Sequence, residues 1–491
     1  MRNVAARYNI TLYPLTDIYI GSGEDIEAYE YTVKNGYLYK FDMYSIYDKM
    51  SSEEQKNFIN TIKKENFVHI RSWIYKNYDE KWGYIYKEKV SEDFKKLYCE
   101  KVTGKVKQNE GNQLKIAKFI EEQSGKYIPG SSIKGALRTA YIYEEILKLY
   151  KNQRLEKIYE EYNSTIKNIE YEEFTEITEN FIKRVTENDK ELKKYENIFR
   201  VLLLLFKENE YLKEIEKLKK EKETKLEEIQ NEKDFKNRKL KIEEIKNKFT
   251  EKEKEIKKKI LNLNLKKSKK LFEAEILKAR KKDGKLGLEP KKDPFRMLKI
   301  TDSNTIDLEN FKVVIEKANL KQNESSNDTI NIALEILNGK MSILFNREYE
   351  LVKDDKFIEI INDKTVLFSM VLSNYLFKPE DKAKNKIEKN INKNNLFRSL
   401  RRKYVQFISK IIEEIKDDDL KKFYLKLQKI QEKIEKFENI YLIRLGKYTK
   451  YNDKTINFLT NNPLIKLGET KDSNGCPMGW ALIKVEEVKD E

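Results

Sequence analysis

The chain has 491 residues, 39% apolar and 37% charged, with 30 tyrosines and 23 phenylalanines. That length suits about three domains, and so many aromatic residues exclude a wholly disordered chain. The formal net charge of +16 favours a polyanionic partner, although heavy use of lysine, asparagine, isoleucine and tyrosine produces the same excess without one. Cys99 and Cys476 have no metal-ligand spacing and suggest no disulfide framework, which fits a reducing cytosol. The first residues, MRNVAARYNITLYPL, lack the apolar stretch of a signal peptide. The longest apolar run, Val201 to Phe206, is far too short to cross a bilayer. A soluble cytoplasmic protein with no membrane partner is the expectation. The single histidine, His69, offers no pair for a metal or for acid–base cleavage of RNA. A packed or half-exposed structural role suits it better.

Residues 7–42 read as strands: RYNITLYPLT alternates, IYIGSGED interrupts with glycines, and YTVKNGYLYKFD is a hairpin turning at Asn35-Gly36. Residues 43–122 read as mostly helical. A short strand, KYI, then leads through a glycine-containing loop into a helix from about Ser132 to Tyr150. No glycine or proline occurs from Ala136 to Asp283, which argues for continuous helices. Within that stretch, Leu212, Ile215, Leu226 and Ile229 keep a three-four spacing, as do Ile242, Ile245, Phe249, Ile256, Ile260 and Leu263. The phase slips over residues 231–238. Two arms of an antiparallel coiled-coil hairpin fit this pattern, and a single long charged helix is the alternative. Its charges read as a solvated face rather than an RNA-binding one. Strand and loop character returns at 283–300, a second hairpin signal lies at Asn338-Gly339, and helices follow over about 355–376 and 394–436. A glycine loop and a last strand end the chain. Strands at both ends and around 290–345 imply an α+β architecture, two domains with a helical insertion between them.

The loop KYIPGSSIKGALRTA, residues 126–140, concentrates the chemistry. Gly130 and Gly135 have the glycine spacing of a Walker A loop. Ala136 and Leu137 follow where lysine and serine or threonine would be needed for the β/γ-phosphates and Mg²⁺, so an NTPase is disfavoured. The loop still suits an anion. Ser131 and Ser132 bring hydroxyls and a cap, the helix N-terminus brings positive partial charge, and Lys134 and Arg138, four apart, share a face. Such a loop would hold one phosphate without reading a base. An ordinary capped strand-to-helix turn is the plainer reading. Asp302, in ITDS, reads as a turn or cap residue, and Trp480 as core.

IPGSSIKGALR resembles the signature of the RAMP proteins of type III CRISPR systems. LTDIYIGSGEDIE (15–27), with the hairpin after it, is similar to the N-terminal strand, glycine turn and hairpin of that family. DPFRMLKITDS (293–303), EILNGKMSILF (335–345), LIRLGKYTKYNDKT (442–455) and PMGWALIKV (477–485) resemble the fifth-subunit family of type III-A Csm effector complexes. The resemblance spans both ends and the middle of the chain and is not visible over roughly 150–282.

The resemblance implies two RRM-like, ferredoxin-type domains with a large helical insertion. The expected division is 1–150 for an N-terminal RAMP domain, 151–282 for the insertion with its hairpin at about 207–265, and 283–491 for a C-terminal RAMP-like domain. It implies a non-catalytic subunit that binds the 3′ side of the guide RNA (crRNA), caps the backbone filament and supports crRNA maturation. The implied partners are crRNA, neighbouring RAMP backbone subunits and recruited host nucleases, with no cofactor and no metal. Carried over by motif, Gly130, Ser131, Ser132, Lys134, Gly135 and Arg138 would hold RNA phosphate. Ser22 and Gly23 would lie in the first glycine turn. Arg444, Gly446, Lys447, Lys450, Lys454 and Thr455 would form the C-terminal glycine loop. That loop departs from the family pattern: lysines and tyrosines stand where several glycines are usual. Phosphate contact with stacking by Tyr448 or Tyr451, or an exposed turn without RNA, both fit it. The alternative function is a crRNA-processing endoribonuclease of the same superfamily, which would need a histidine early in the chain. A purely structural coiled-coil protein would account for 207–270 and nothing else.

Overall fold

The structure, a computed structural model, describes residues 5–63, 67–103, 114–150, 217–229, 235–262, 273–279, 288–317, 331–346, 350–373, 391–415, 418–446 and 477–489. It also describes positions 161, 180–184, 187, 211 and 214–215. The strands are β1 (Ala5–Pro14), β2 (Gly21–Ile26), β3 (Tyr31–Lys34), β4 (Tyr37–Lys40), β5 (Tyr86–Val90), β6 (Ile116–Phe119), β7 (Glu121–Glu122), β8 (Gly125–Lys126), β9 (Leu298–Ile300), β10 (Phe311–Lys317), β11 (Asn331–Leu337), β12 (Val366–Ser373), β13 (Ile440–Arg444) and β14 (Trp480–Glu487). The helices are α1 (Met43–Asp48), α2 (Ser52–Ile62), α3 (Phe67–Asn77), α4 (Glu92–Thr103), α5 (Gly130–Tyr150), α6 (Phe235–Asn262), α7 (Asp354–Ile361), α8 (Lys393–Glu414) and α9 (Asp418–Ile434). Among the described residues, no helix is long and apolar enough to cross a membrane.

Five strands form one antiparallel sheet in the order β13-β14-β1-β12-β9. β1 lies at its centre because its even positions are apolar on both sides of the register. Ile10 faces Phe368 and Val485, and Leu12 faces Val366 and Ile483. All are buried, at about 1.5–3 kcal/mol per large apolar side chain. α5 lies in the chain between β1 and β9, two strands away, and α8 and α9 lie between β12 and the β13–β14 pair. β12 lies between β1 and β9 and is antiparallel to both, so β1 and β9 run parallel. The seven-stranded sheet has the order β2-β6-β11-β10-β5-β4-β3. It does not repeat that pattern: the β10–β11 hairpin inserts between β5 and β6 and pairs with each of them in parallel.

Both sheets draw strands from both ends of the chain. β1 joins strands after residue 297 in the smaller sheet, and β10 and β11 join β2–β6 in the larger one. Hydrogen-bonded pairing therefore crosses the expected division into 1–150 and 283–491. In the helical insertion, Lys225 lies 5.7 Å over the Phe249 ring, and Lys219 and Lys222 act on Glu253. Contacts that descend on one helix as they rise on the other make α6 antiparallel to the 217–229 helix. The base of this hairpin, through Tyr211, Ile215 and Ile256, joins the main core.

One local reading holds and two change. Asn35-Gly36 turns a hairpin as expected, with both residues at positive φ (52° and 78°). Asn338-Gly339 does not: β11 pairs with the preceding β10, and Gly339 N–H donates to Asp17 Oδ1 at 2.9 Å. The helix expected over 355–376 stops at Ile361. VLFSMVLS then alternates between a buried and an open face as β12.

Candidate nucleic-acid interface

A ladder of hydrogen bonds links the first glycine turn to the start of α5. Ser22 Oγ donates to the Lys118 carbonyl at 3.4 Å, and Ile120 N–H donates to the Ile20 carbonyl at 2.8 Å. Tyr127 N–H reaches the Ile120 carbonyl at 3.4 Å. Ile128 and Ser303 then exchange bonds at 2.9 and 3.0 Å. The last rung is Gly130 N–H to Asp302 Oδ1 at 2.8 Å. Gly446 closes on the other end of the ladder. Its φ is 90°, and a Cβ there would collide with the Tyr19 carbonyl, so glycine is required twice over. Gly130 is required sterically as well, because a Cβ would strike the Ile300 and Thr301 carbonyls. The first two expected glycine segments thus share one hydrogen-bonded ladder, and Gly446 packs closely against the Tyr19 backbone at its end.

The side chains expected to meet phosphate sit differently from one another. Ser131 and Gly135 are exposed, and Ser132 is half-buried with its N–H on the Pro129 carbonyl. The helix begins at Gly130, two residues before its expected start, and its cap is Asp302 rather than Ser131 or Ser132. The carboxylate at this N-terminus is therefore the protein's own, placed where the helix end is most positive. Lys134 and Arg138 do share a face, and that face packs inward. Lys134 Nζ donates to the Leu298 carbonyl at 2.7 Å, and burial lowers its pKa. Arg138 pairs with Glu273 at 2.5 Å and Asp293 at 2.7 Å and lies 5.2 Å over the Phe295 ring. Burial alone would lower its pKa; the two carboxylates outweigh that and raise it. These two residues clamp α5 to the 293–298 segment.

Ser22 and Gly23 are exposed on the edge strand β2 with Glu24 and Asp25 beside them. Lys118, the nearby cation, pairs with Glu121 at 2.5 Å and Glu24 at 3.7 Å. Arg444 is buried, 3% exposed. Its Nε donates to the Met478 carbonyl at 3.2 Å, and its guanidinium lies 5.2 Å over the Trp480 ring, itself fully buried in the core. Lys447, Lys450, Lys454 and Thr455, with Tyr448 and Tyr451, lie outside the described residues. His69 is exposed on α3. Among the described residues, no group of three His, Cys, Asp or Glu side chains is placed to hold a metal.

Two clusters of buried charge have no sequence signal. Asp17, 2% exposed, joins Gly339 N–H to Lys312 at 3.3 Å; burial raises its pKa against the pull of both. Lys126, Glu88 and Glu335 meet inside the larger sheet, below the strap of residues 120–128.

A model of the RAMP superfamily matches residues 11–450. The CRISPR system Cms protein Csm5 of Methanocaldococcus jannaschii is 27% identical over 154 residues, 29% of this chain and 33% of that protein. The Csm5 protein of Mycobacterium tuberculosis is 26% identical over 157 residues, 29% of this chain and 40% of that protein. The alignments span between a third and two-fifths of these relatives. A chain of a type III-A Csm–crRNA–target RNA ternary complex, solved by cryo-EM, has a TM-score of 0.51 at 15% identity, covering 98% of this chain and 100% of that one. At that identity the likeness is one of fold. Matched over most of its length, the chain belongs to the RAMP superfamily.

Proposed function

We propose that this protein is a non-catalytic, RNA-binding subunit of a type III-A CRISPR Csm complex. It binds the 3′ side of crRNA, caps the filament of RAMP backbone subunits and supports crRNA maturation by recruited host nucleases in the cytoplasm. The observation that carries this reading is the likeness to Csm5 proteins of two organisms, within the superfamily to which the chain belongs.

The proposed phosphate contact is the exposed part of the α5 turn, Ser131, Ser132 and Gly135, with the backbone around Gly130. Lys134 and Arg138 hold that turn in place from behind. Ser22 and Gly23, and Gly446 with Lys447, Lys450, Lys454 and Thr455, are the two further segments proposed to line the RNA path. Contacts of this kind position a backbone without reading sequence. Asp302 is assigned to the helix cap rather than to RNA cleavage, because its carboxylate is held by Gly130 N–H.

Affinity purification of the tagged chain from its host, with sequencing of the bound RNA, tests the proposal. Mature crRNA and Csm subunits should come with it, and deleting the chain should leave crRNA with longer 3′ ends. Recovery of the chain without RNA and without RAMP subunits would refute it. Loss of guide cleavage in His69→Ala would instead favour an endoribonuclease.

A further inference from the structure

The cations of the α5 turn face inward, and the first glycine turn is flanked by acids. An exposed ring, Tyr84, stands elsewhere beside lysines, at the open margin of a face of β4 and β5 on which Tyr37 is half-buried and Tyr39 is buried. These strands are antiparallel, with Tyr37 opposite Lys89 and Tyr39 opposite Lys87. Directly opposed residues share a face, so two tyrosine–lysine rungs lie side by side, about 7 Å apart along the strands. Lys87 Nζ is 4.6 Å from the Tyr37 ring centroid and 4.8 Å from that of Tyr39. Tyr84 stands edge-on to Tyr39 at 5.5 Å and is 46% exposed. Ile85 beside it is 62% exposed, and the Lys49 ammonium lies against Gly83. The side chains of Lys49 and Lys89 are exposed and have no ion pair or hydrogen bond among the described residues. One carboxylate joins the row: Glu80 accepts from the Tyr39 hydroxyl at 2.6 Å and stands 3.8 Å from Lys87.

We infer that this face is a second binding surface for single-stranded RNA. Tyr84 and Tyr37 stack on bases, and Lys49, Lys87 and Lys89 contact phosphates. Rings alternating with cations are what a single strand needs: every base offers a π-face and every linkage a negative charge. A protein-docking patch of this size would be poor in lysine at its centre, whereas here lysine alternates with tyrosine. The inference rests on the RNA-binding reading above and adds a place on the fold that the glycine segments do not include.

The test is fluorescence anisotropy of a labelled oligouridylate titrated with the full-length protein. The variants are Tyr84→Ala combined with Lys89→Glu, Tyr84→Phe alone, and Ser131→Asp in the α5 turn. The double variant should bind about tenfold more weakly or worse, with a shallower dependence on salt and an unchanged thermal midpoint. Tyr84→Phe, which keeps the ring, should bind as the wild type does. If the double variant binds RNA like the wild type while Ser131→Asp binds weakly, this face is refuted and the α5 reading stands. If the wild type binds no RNA, both are refuted. If RNA affinity holds but a neighbouring subunit is lost from the complex, the face docks protein and the inference is overturned.

Discussion

Replacing Lys126 with methionine keeps most of the side chain's volume and removes its charge. The residue is 1% exposed, its ammonium pairs with Glu88 and stands 3.4 Å from Glu335, and both carboxylates are fully buried. The rings of Tyr86 and Phe311, each 4.9 Å away, close the cage. Glu335 is otherwise well held, by the Tyr86 hydroxyl at 2.7 Å and Phe119 N–H at 2.9 Å. Without Lys126, two buried carboxylates face each other with no cation, which costs about 3–5 kcal/mol.

The cost should depend on pH. Burial, with the charge of Glu335 adding, pushes the Glu88 carboxyl from 4.5 up to about 7. A raised folded-state value contributes stability that is fully present below about pH 4.5 and is lost as pH rises through about 7. Lys126 opposes that rise, so its removal moves Glu88 higher still. Lys126→Met should therefore be most damaging above pH 7 and milder near pH 5, where a proton replaces the lost cation. Amide hydrogen exchange across residues 118–128, corrected for intrinsic rates, reads the effect. The strap should exchange about two to four orders of magnitude faster at pH 8, with a smaller gain at pH 5.5. Adding Glu88→Gln should restore part of the protection. Exchange within about tenfold of the wild type at both pH values would refute the idea that this cluster pins the strap leading to Gly130.

Arg138→Ala should leave Glu273 and Asp293 without their shared cation, cost about 1–3 kcal/mol and lower the thermal midpoint. The salt slope of RNA binding should stay unchanged; a shallower slope at an unchanged midpoint would mean that Arg138 touches phosphate instead. Asp302→Ala should cost about 1 kcal/mol, as loss of a helix cap does, in thermal unfolding of the full chain. Gly446→Ala should cost more than about 1 kcal/mol, because the residue has positive φ and no room for a Cβ; a wild-type midpoint would count against that geometry. Shortening the helical hairpin between Glu221 and Lys252 removes its outer part and keeps the base that joins the core, so RNA affinity should persist. A large loss would put the hairpin on the RNA path.

Features carried by neighbouring residues were legible in the sequence. Asn35-Gly36 announces its turn because both positions need positive φ, and β1 announces itself by alternation. The glycine loop at 130 was legible as a strand-to-helix turn, and Asp302 as a cap. What its charges do was not. Lys134 and Arg138 read as outward-facing because their partners, Leu298, Glu273 and Asp293, lie between 135 and 164 residues away. β12 was hidden because VLFSMVLS is a short apolar run after a genuine helix, and periodicity alone separates the two poorly there. The interleaving of the sheets was hidden for a similar reason. Asn338-Gly339 reads as the turn of a local hairpin, and nothing local says that β11 instead pairs back with β10 or that the two wedge between β5 and β6. The lysine–tyrosine face did leave a trace in YLYK and YIYKEK, where rings and lysines alternate, but only the pairing of β4 with β5 puts Tyr37 opposite Lys89 and Tyr39 opposite Lys87.

The central claim is that this chain holds the 3′ side of a crRNA. Photo-cross-linking in the purified complex, with 4-thiouridine placed at single positions along the guide, tests it most directly. The account predicts cross-links from 3′-side nucleotides to peptides of the α5 turn around Ser131 and of β4–β5 around Tyr84. Cross-links confined to the 5′ side of the guide, or none to this chain within an intact complex, would contradict it.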